Sequence, residues 1–533
     1  MRFKHDGVDV RGFVGRVAAL GFAVALAVAL VACGGGGGAA KSGDAKASLT
    51  DGPSIGGPIR IAAAQGIPQL DPHKITSTWE LQLYSTLWAR LVTFGEDSGL
   101  KLQPDLAKSW KVSDDARTYT FTLRTGTKFS NGDPLTSRDV VGSLKRAVDP
   151  KTGDVFGPLL PKMKRIEAVD RSTVRVTLRK PSAGQFLSLV PVVPIVDVSA
   201  LAKLKGSNPP TSGPYMVKDF VPGDHLTVVR NDNYWGEPAP AAELQFQSAP
   251  DTSSAVTSLR SKSLDALWSV PWQNVKPLKA AGLSIVLSKS PAGQAAMMVD
   301  NQSPPFNDVR ARQALAYATD KAKMINVAYA GDMVESKSNQ PIPPGDPYVA
   351  PSLPAYGFDL NKAKTLFAQA GVKQGDTLTF WTVAGNYPEW TTYGQILQSD
   401  LAKIGIKLKI VSNQFNGWAE RFNPIGKPYP GLIVPNLLSS FPSPLVLTYG
   451  QSGAAQWNPK DGEYDALLAK ADALTDEAQR KEAYQQAQRT WNEKAFINTI
   501  GQTSWPVAVQ SKIGGIWEDP GTFTHFERAR RVG

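Results

Sequence analysis

An α/β architecture of two lobes is predicted for this chain, on three observations. It has 533 residues, more than one hydrophobic core normally serves. Leu378 to Val383 reads as a strand, Trp390 to Ile404 as a helix closed by Gly405, and Ile406, Leu408 and Ile410 as a second alternating strand. Such a βαβ unit demands a parallel sheet with helices on its faces. Earlier in the chain, Tyr119, Phe121 and Leu123 alternate with Thr118, Thr120 and Thr122, the period-two pattern of a half-buried strand.

The first 56 residues read as export and attachment rather than fold. Arg2, Lys4, Arg11 and Arg16 form a basic leader, and Val17 to Val31 carries no charge. That apolar run is shorter than the roughly 20 residues a membrane span needs, and it ends in small residues, as an export signal does. Leu30-Val31-Ala32-Cys33 contains the only cysteine. It resembles the lipobox of bacterial lipoproteins, which implies cleavage before Cys33 and lipidation of its thiol. Gly34 to Gly38 and the Ala-, Ser- and Lys-rich stretch to Pro53 bury too little apolar surface to fold, so residues 33–56 are expected to be a flexible tether.

Composition bounds the rest. With Cys33 committed to lipid no intrachain disulfide is possible, so packing must hold the fold. Net charge is +11 with His neutral, about +9 once the leader is removed, and no dense basic block of the nucleic-acid-binding kind occurs.

Taken in order, Ile59-Arg60-Ile61 reads as a first strand, and Asp71-Pro72 marks the loop after it. Glu80 to Leu91 has Leu83, Leu87 and Leu91 at helical spacing. Asn131-Gly132 signals a turn, and Thr136 with Asp139 makes a capping box for a helix burying Val140, Leu144 and Val148. Asp359 opens a helix whose Ala363, Phe367 and Ala370 form a stripe ending at Gly371. Tyr464 to Ala471 and Ala483 to Trp491 are helical by spacing, and strand character returns at Phe496.

Several of these pieces occur in a recognisable order. Pro104-Asp105-Leu106-Ala107-Lys108-Ser109-Trp110 is followed by Tyr119-Thr120-Phe121, Phe129-Ser130-Asn131-Gly132-Asp133-Pro134, Ser212-Gly213-Pro214-Tyr215, Arg230-Asn231-Asp232-Asn233-Tyr234-Trp235 and Pro304-Pro305-Phe306-Asn307-Asp308. Together they resemble the family 5 solute-binding proteins of ABC importers, the oligopeptide and dipeptide binding class. The resemblance implies a two-lobed clamp of the type II periplasmic-binding-protein kind with a β-rich subdomain inserted in the first lobe. The expected boundaries are 57–293 for lobe one, with the insert at 94–188, then 294–499 for lobe two, and 500–533 returning to lobe one. It also implies an extracytoplasmic location, at the cell surface or in the periplasm, and an ABC permease with its ATPase as partners. A peptide or small molecule is the expected ligand, and a monomer the default state.

Catalytic chemistry finds little support. His5, His73, His225 and His525 are scattered without ligand spacing, and no nucleophile elbow, phosphate loop or dinucleotide fingerprint occurs. No catalytic residue, metal site or cofactor is therefore expected. A secreted hydrolase on the same anchor would require two carboxylates facing across a cleft, or a metal cluster.

Aromatic residues are the candidates for binding. Trp79, Trp272, Tyr387, Trp390 and Trp418 lie in or beside loops after predicted strands, where flat apolar walls would meet a guest. Asn386 and Asn436 are candidates for directional hydrogen bonds. The resemblance places Thr76, Ser77, Thr78 and Trp79 alongside a bound chain and Trp418 over a ligand pocket. It also places Ser440, in Ser439-Ser440-Phe441-Pro442, where peptide-binding members carry the aspartate that pairs with the peptide ammonium. A buried ammonium without a counter-ion costs several kcal/mol. The expectation is either another acid in the pocket or a solute with no free amino terminus: a modified peptide, a sugar, a siderophore-like or an opine-like molecule.

Overall fold

The computed structural model describes residues 57–532 except 64–65, 75–77, 96–100, 153–156, 158–159, 250, 289–292, 344, 384–386, 414–428, 439–445, 448–449, 453–457 and 520–522. Cys33, the tether, Thr76, Ser77, Asn386, Trp418 and Ser440 thus lie outside the described residues.

The chain opens with β1 (Ile59–Ala63) and α1 (Thr78–Tyr84). This helix is shorter than the apolar spacing predicts. Ser85 and Thr86 turn their hydroxyls back onto the carbonyls of Gln82 and Leu83, competing with the helical ladder. The Leu87 carbonyl accepts from the Ser212 and Gly213 amides instead. Leu87 and Leu91 are buried all the same, in irregular chain.

β2 (Val92–Phe94) and β3 (Leu102–Pro104) form a small hairpin. β4 (Ala107–Val112) and β5 (Thr118–Leu123) follow, and β5 alternates buried Tyr119, Phe121 and Leu123 with its threonines. α2 (Ser137–Ala147) starts from a capping box between Thr136 and Asp139. β6 (Met163–Ala168) and β7 (Thr173–Leu178) complete an antiparallel sheet of order β4-β5-β7-β6, and the short α3 (Gln185–Leu189) closes this β-rich insert.

β8 (Tyr215–Val221), β9 (His225–Arg230) and β10 (Glu243–Ser248) lead to α4 (Thr252–Arg260), β11 (Ala266–Trp268), α5 (Trp272–Ala280) and β12 (Ser284–Val286). β13 (Gly293–Val299), α6 (Val309–Tyr317), α7 (Lys321–Ala328), β14 (Val334–Glu335) and α8 (Leu360–Gln369) come next. The predicted βαβ unit is β15 (Thr377–Val383), α9 (Pro388–Lys403) and β16 (Lys407–Asn413), with the two strands parallel. β17 (Leu432–Leu438), α10 (Gly462–Ala473), α11 (Glu477–Lys494), β18 (Ile497–Thr503) and β19 (Val507–Val509) follow.

Two large mixed sheets result, of order β12-β19-β11-β1-β10-β9-β8 and β14-β18-β13-β17-β15-β16. The chain passes between them twice, from β12 to β13 and back from β18 to β19. One core fills the space between the first sheet and the insert, and includes Tyr119, Phe186, Tyr215 and Phe246. A second packs α6 to α9 on the second sheet and also takes in Leu259 and Leu278 of α4 and α5. A third lies on the opposite face of the second sheet, where Ala296, Met298 and Ile497 meet α10 and α11.

Candidate functional site

In open α/β sheets the strand ends, where connections leave, are where a ligand meets the backbone. Trp268 ends β11, 1% exposed, and its ring stacks on half-buried Trp79 of α1, with centroids 5.2 Å apart and planes at 25°. Phe526 meets Trp268 edge-on at 5.0 Å. These rings form one aromatic wall, beside the carboxyl ends of β1 and β11.

The second wall stands at the carboxyl end of β15. Half-buried Tyr387 stacks on Trp390 at 4.2 Å and 16°, and Trp505 approaches Tyr387 at 5.8 Å. Trp505 lies on the crossover between β18 and β19, and β19 pairs with β11, Ala508 opposite Leu267. The crossover that carries one edge of the second wall therefore leads into β19, the neighbour of the strand that ends in the first.

The polar surroundings are anchored on the C-terminal return. Buried Glu518 accepts from the Ser288 amide at 2.8 Å, which ties it to the crossover between β12 and β13. Desolvation drives its carboxyl well above the usual range. The Thr524 amide donates to Gln82 Oε1 at 3.1 Å, fastening α1 to the same segment. His525 stacks on Trp517 at 3.9 Å, with ring nitrogens 3.2 Å from Asp519 and 3.5 Å from Glu527. Burial alone would lower its pKa; the neighbouring Glu527 and Asp519 carboxylates outweigh that and raise it to about 9. Glu389, in the first turn of α9 beside Tyr387, has its carboxyl lifted by desolvation to about 7.

Of the residues singled out in the sequence, Thr78 is the first residue of α1, and Asn436 lies in β17 opposite Ala296 of β13. Trp272 opens α5 and is 6% exposed. It packs 5.9 Å from Tyr329, whose hydroxyl is hydrogen-bonded to that of Tyr393. Trp79 and Tyr387 are set in separate walls. Trp268 and Trp505 were not singled out. Trp268 ends an unbroken apolar triplet, Ala266-Leu267-Trp268, and Trp505 follows a long strand, so both carried the signal used for the others. Among the described residues no group of His, Cys, Asp or Glu side chains is placed to hold a metal ion. The arrangement offers stacking surfaces for a guest.

Known proteins share this architecture. A family model described as bacterial extracellular solute-binding proteins, family 5 Middle, matches residues 101–459. Heme-binding protein A of Haemophilus influenzae is 29% identical over 480 residues, 83% of this chain and 86% of its own. The glutathione-binding protein GsiB of Escherichia coli is 26% identical over 496 residues, 88% and 94% of the two chains. The A. tumefaciens R10 protein AgaA, solved with agropinic acid, superposes with a TM-score of 0.79 at 25% identity, covering 90% of this chain and 99% of that one. A matching family model over most of the described chain, on a two-lobed fold of the type II periplasmic-binding kind with a β-rich insert, shows that this chain belongs to the family 5 bacterial extracellular solute-binding proteins.

Proposed function

We propose that this chain captures a peptide or peptide-like solute outside the cytoplasmic membrane and hands it to an ABC permease driven by its ATPase. Lipid on Cys33 would hold it at the membrane, working as a monomer and without a cofactor. Lobe one comprises residues 57–292 and the C-terminal return, which begins after Thr503 where β18 leaves the second sheet; lobe two is the second sheet, from Gly293, with its helices. The solute lies between the Trp79–Trp268 wall and the Tyr387–Trp390–Trp505 wall. A solute touching both lobes favours the closed state, which is the state a permease would read. No bond in the solute is made or broken.

The observation that carries this reading is the pair of stacked aromatic walls at the strand ends of two sheets joined by two crossovers. The glutathione-binding relative supports a peptide-like solute. A second reading, an opine-like solute without a free amino terminus, is favoured by Ser440 in place of the family aspartate and by the likeness to AgaA. Mass spectrometry of the solute that copurifies from the native host separates the two. Short peptides support the first, amino-acid conjugates lacking a primary amine the second, and a hydrolysed product of an added peptide would overturn both.

A further inference from the structure

Ser182 and Asp472 stand beside different cores, yet they meet. Ser182 precedes α3, whose Phe186 packs on Tyr119 at 4.6 Å in the core beneath the insert. Asp472 lies in the last turn of α10, over the third core, on the far face of the second sheet. The Asp472 carbonyl accepts from the Ala183 amide at 2.7 Å. Its carboxylate accepts from the Gln185 amide at 3.1 Å and from Ser182 Oγ at 3.4 Å.

Each half of this contact is held ready by its own side. Ser182 Oγ also accepts from the Phe186 amide at 3.1 Å, and the Tyr119 hydroxyl donates to the Ser182 carbonyl. On the other side, the Tyr484 hydroxyl donates to Asp472 Oδ1 at 2.9 Å. The bonds that cross here are hydrogen bonds from two backbone amides and one hydroxyl to Asp472. Water can replace hydrogen bonds of this kind at small net cost, whereas an apolar seam would resist parting.

We infer that Asp472 with Ser182, Ala183 and Gln185 is a clasp that fastens the β-rich insert to the second lobe when the cleft shuts and releases when it opens. The two crossovers, between β12 and β13 and between β18 and β19, are the covalent joints; the clasp is a non-covalent joint outside them. It therefore sets how often the ligand-free protein visits the shut state, and through that the solute's apparent affinity.

This inference rests on the clamp reading above, and its test needs no solute. Spin labels on Lys180→Cys and Glu477→Cys, both exposed positions, report the distance across the contact in the full-length ligand-free protein by pulsed electron resonance. Asp472→Ala is expected to lower the ratio of short to long distances about tenfold, the effect of losing charge-assisted hydrogen bonds. Tyr464→Phe, which removes only the bond from the Tyr464 hydroxyl to the Leu447 carbonyl inside the second lobe, is the control for core damage and should leave the ratio near that of the parent. Identical distributions in the parent and Asp472→Ala, or the same shift in Tyr464→Phe, overturn the clasp. A parent that is long-distance throughout overturns it as well. Failure of added peptides to shorten the distance in the parent counts against the proposed function and leaves the clasp standing.

Discussion

The indole of Trp79 stacks on that of Trp268 at 5.2 Å, so a helix residue following β1 is held by the last residue of a strand far along the chain. One ring is almost wholly buried and the other half-buried. Under the proposed function that difference divides their tasks: Trp268 would support the wall, and Trp79 would present it to the solute.

Truncation should separate the two. Trp268→Ala leaves a cavity between Trp79, Phe526 and the first sheet and is expected to cost about 3 to 5 kcal/mol of unfolding free energy. Trp79→Ala should cost less than half of that and weaken solute binding about tenfold, since stacking on an aromatic wall contributes roughly 1 kcal/mol or more. Urea unfolding and titration calorimetry with the copurified solute measure the pair.

His525 should give the fold a measurable pH dependence. Its folded pKa, about 9, lies above the ordinary 6.5, so its contribution to stability is fully present below pH 6.5 and is lost as pH rises toward 9. The loss is on the order of 3 kcal/mol. Unfolding free energy measured from pH 6 to 9.5 should fall across that window, and His525→Gln should remove most of the slope.

The capping box is a local feature with a local cost. Thr136→Ala removes the side chain that accepts from Arg138 and pairs with Asp139, and is expected to destabilise the protein by about 1 kcal/mol. Solute affinity should be unchanged, because the bonds of the Thr136 side chain lie within the start of α2, to Arg138 and Asp139.

Local features were legible in the sequence for physical reasons that the structure bears out. Alternation along β5 appears as alternating burial, the Thr136–Asp139 pair caps α2, and Gly371 and Gly405 adopt the positive φ that a helix end requires. The end of α1 was not legible, because apolar spacing continued to Leu91 while side-chain hydroxyls at Ser85 and Thr86 and tertiary bonds to 212–215 ended the helix early. The site was legible only in part. Trp79 and Tyr387 drew attention by following strands, but their stacking partners depend on which strands become neighbours, as β11 and β19 do. Trp272 drew attention in the same way, and its neighbour Tyr329 likewise comes from a distant part of the chain.

The attachment proposed for Cys33 is tested in cells. Cys33→Ser should move the protein from the membrane fraction to the soluble extracytoplasmic fraction and abolish incorporation of labelled fatty acid. Membrane retention of that variant would contradict the lipid anchor while leaving the clamp intact.

The central claim is that the two lobes close on a solute they do not alter. Small-angle scattering of the protein, first stripped of bound solute by unfolding and refolding and then saturated with the solute recovered from the native host, tests it most directly. The account predicts a smaller radius of gyration on saturation and return of the same compound on release. An unchanged radius with the solute bound, or recovery of a chemically altered compound, would contradict it.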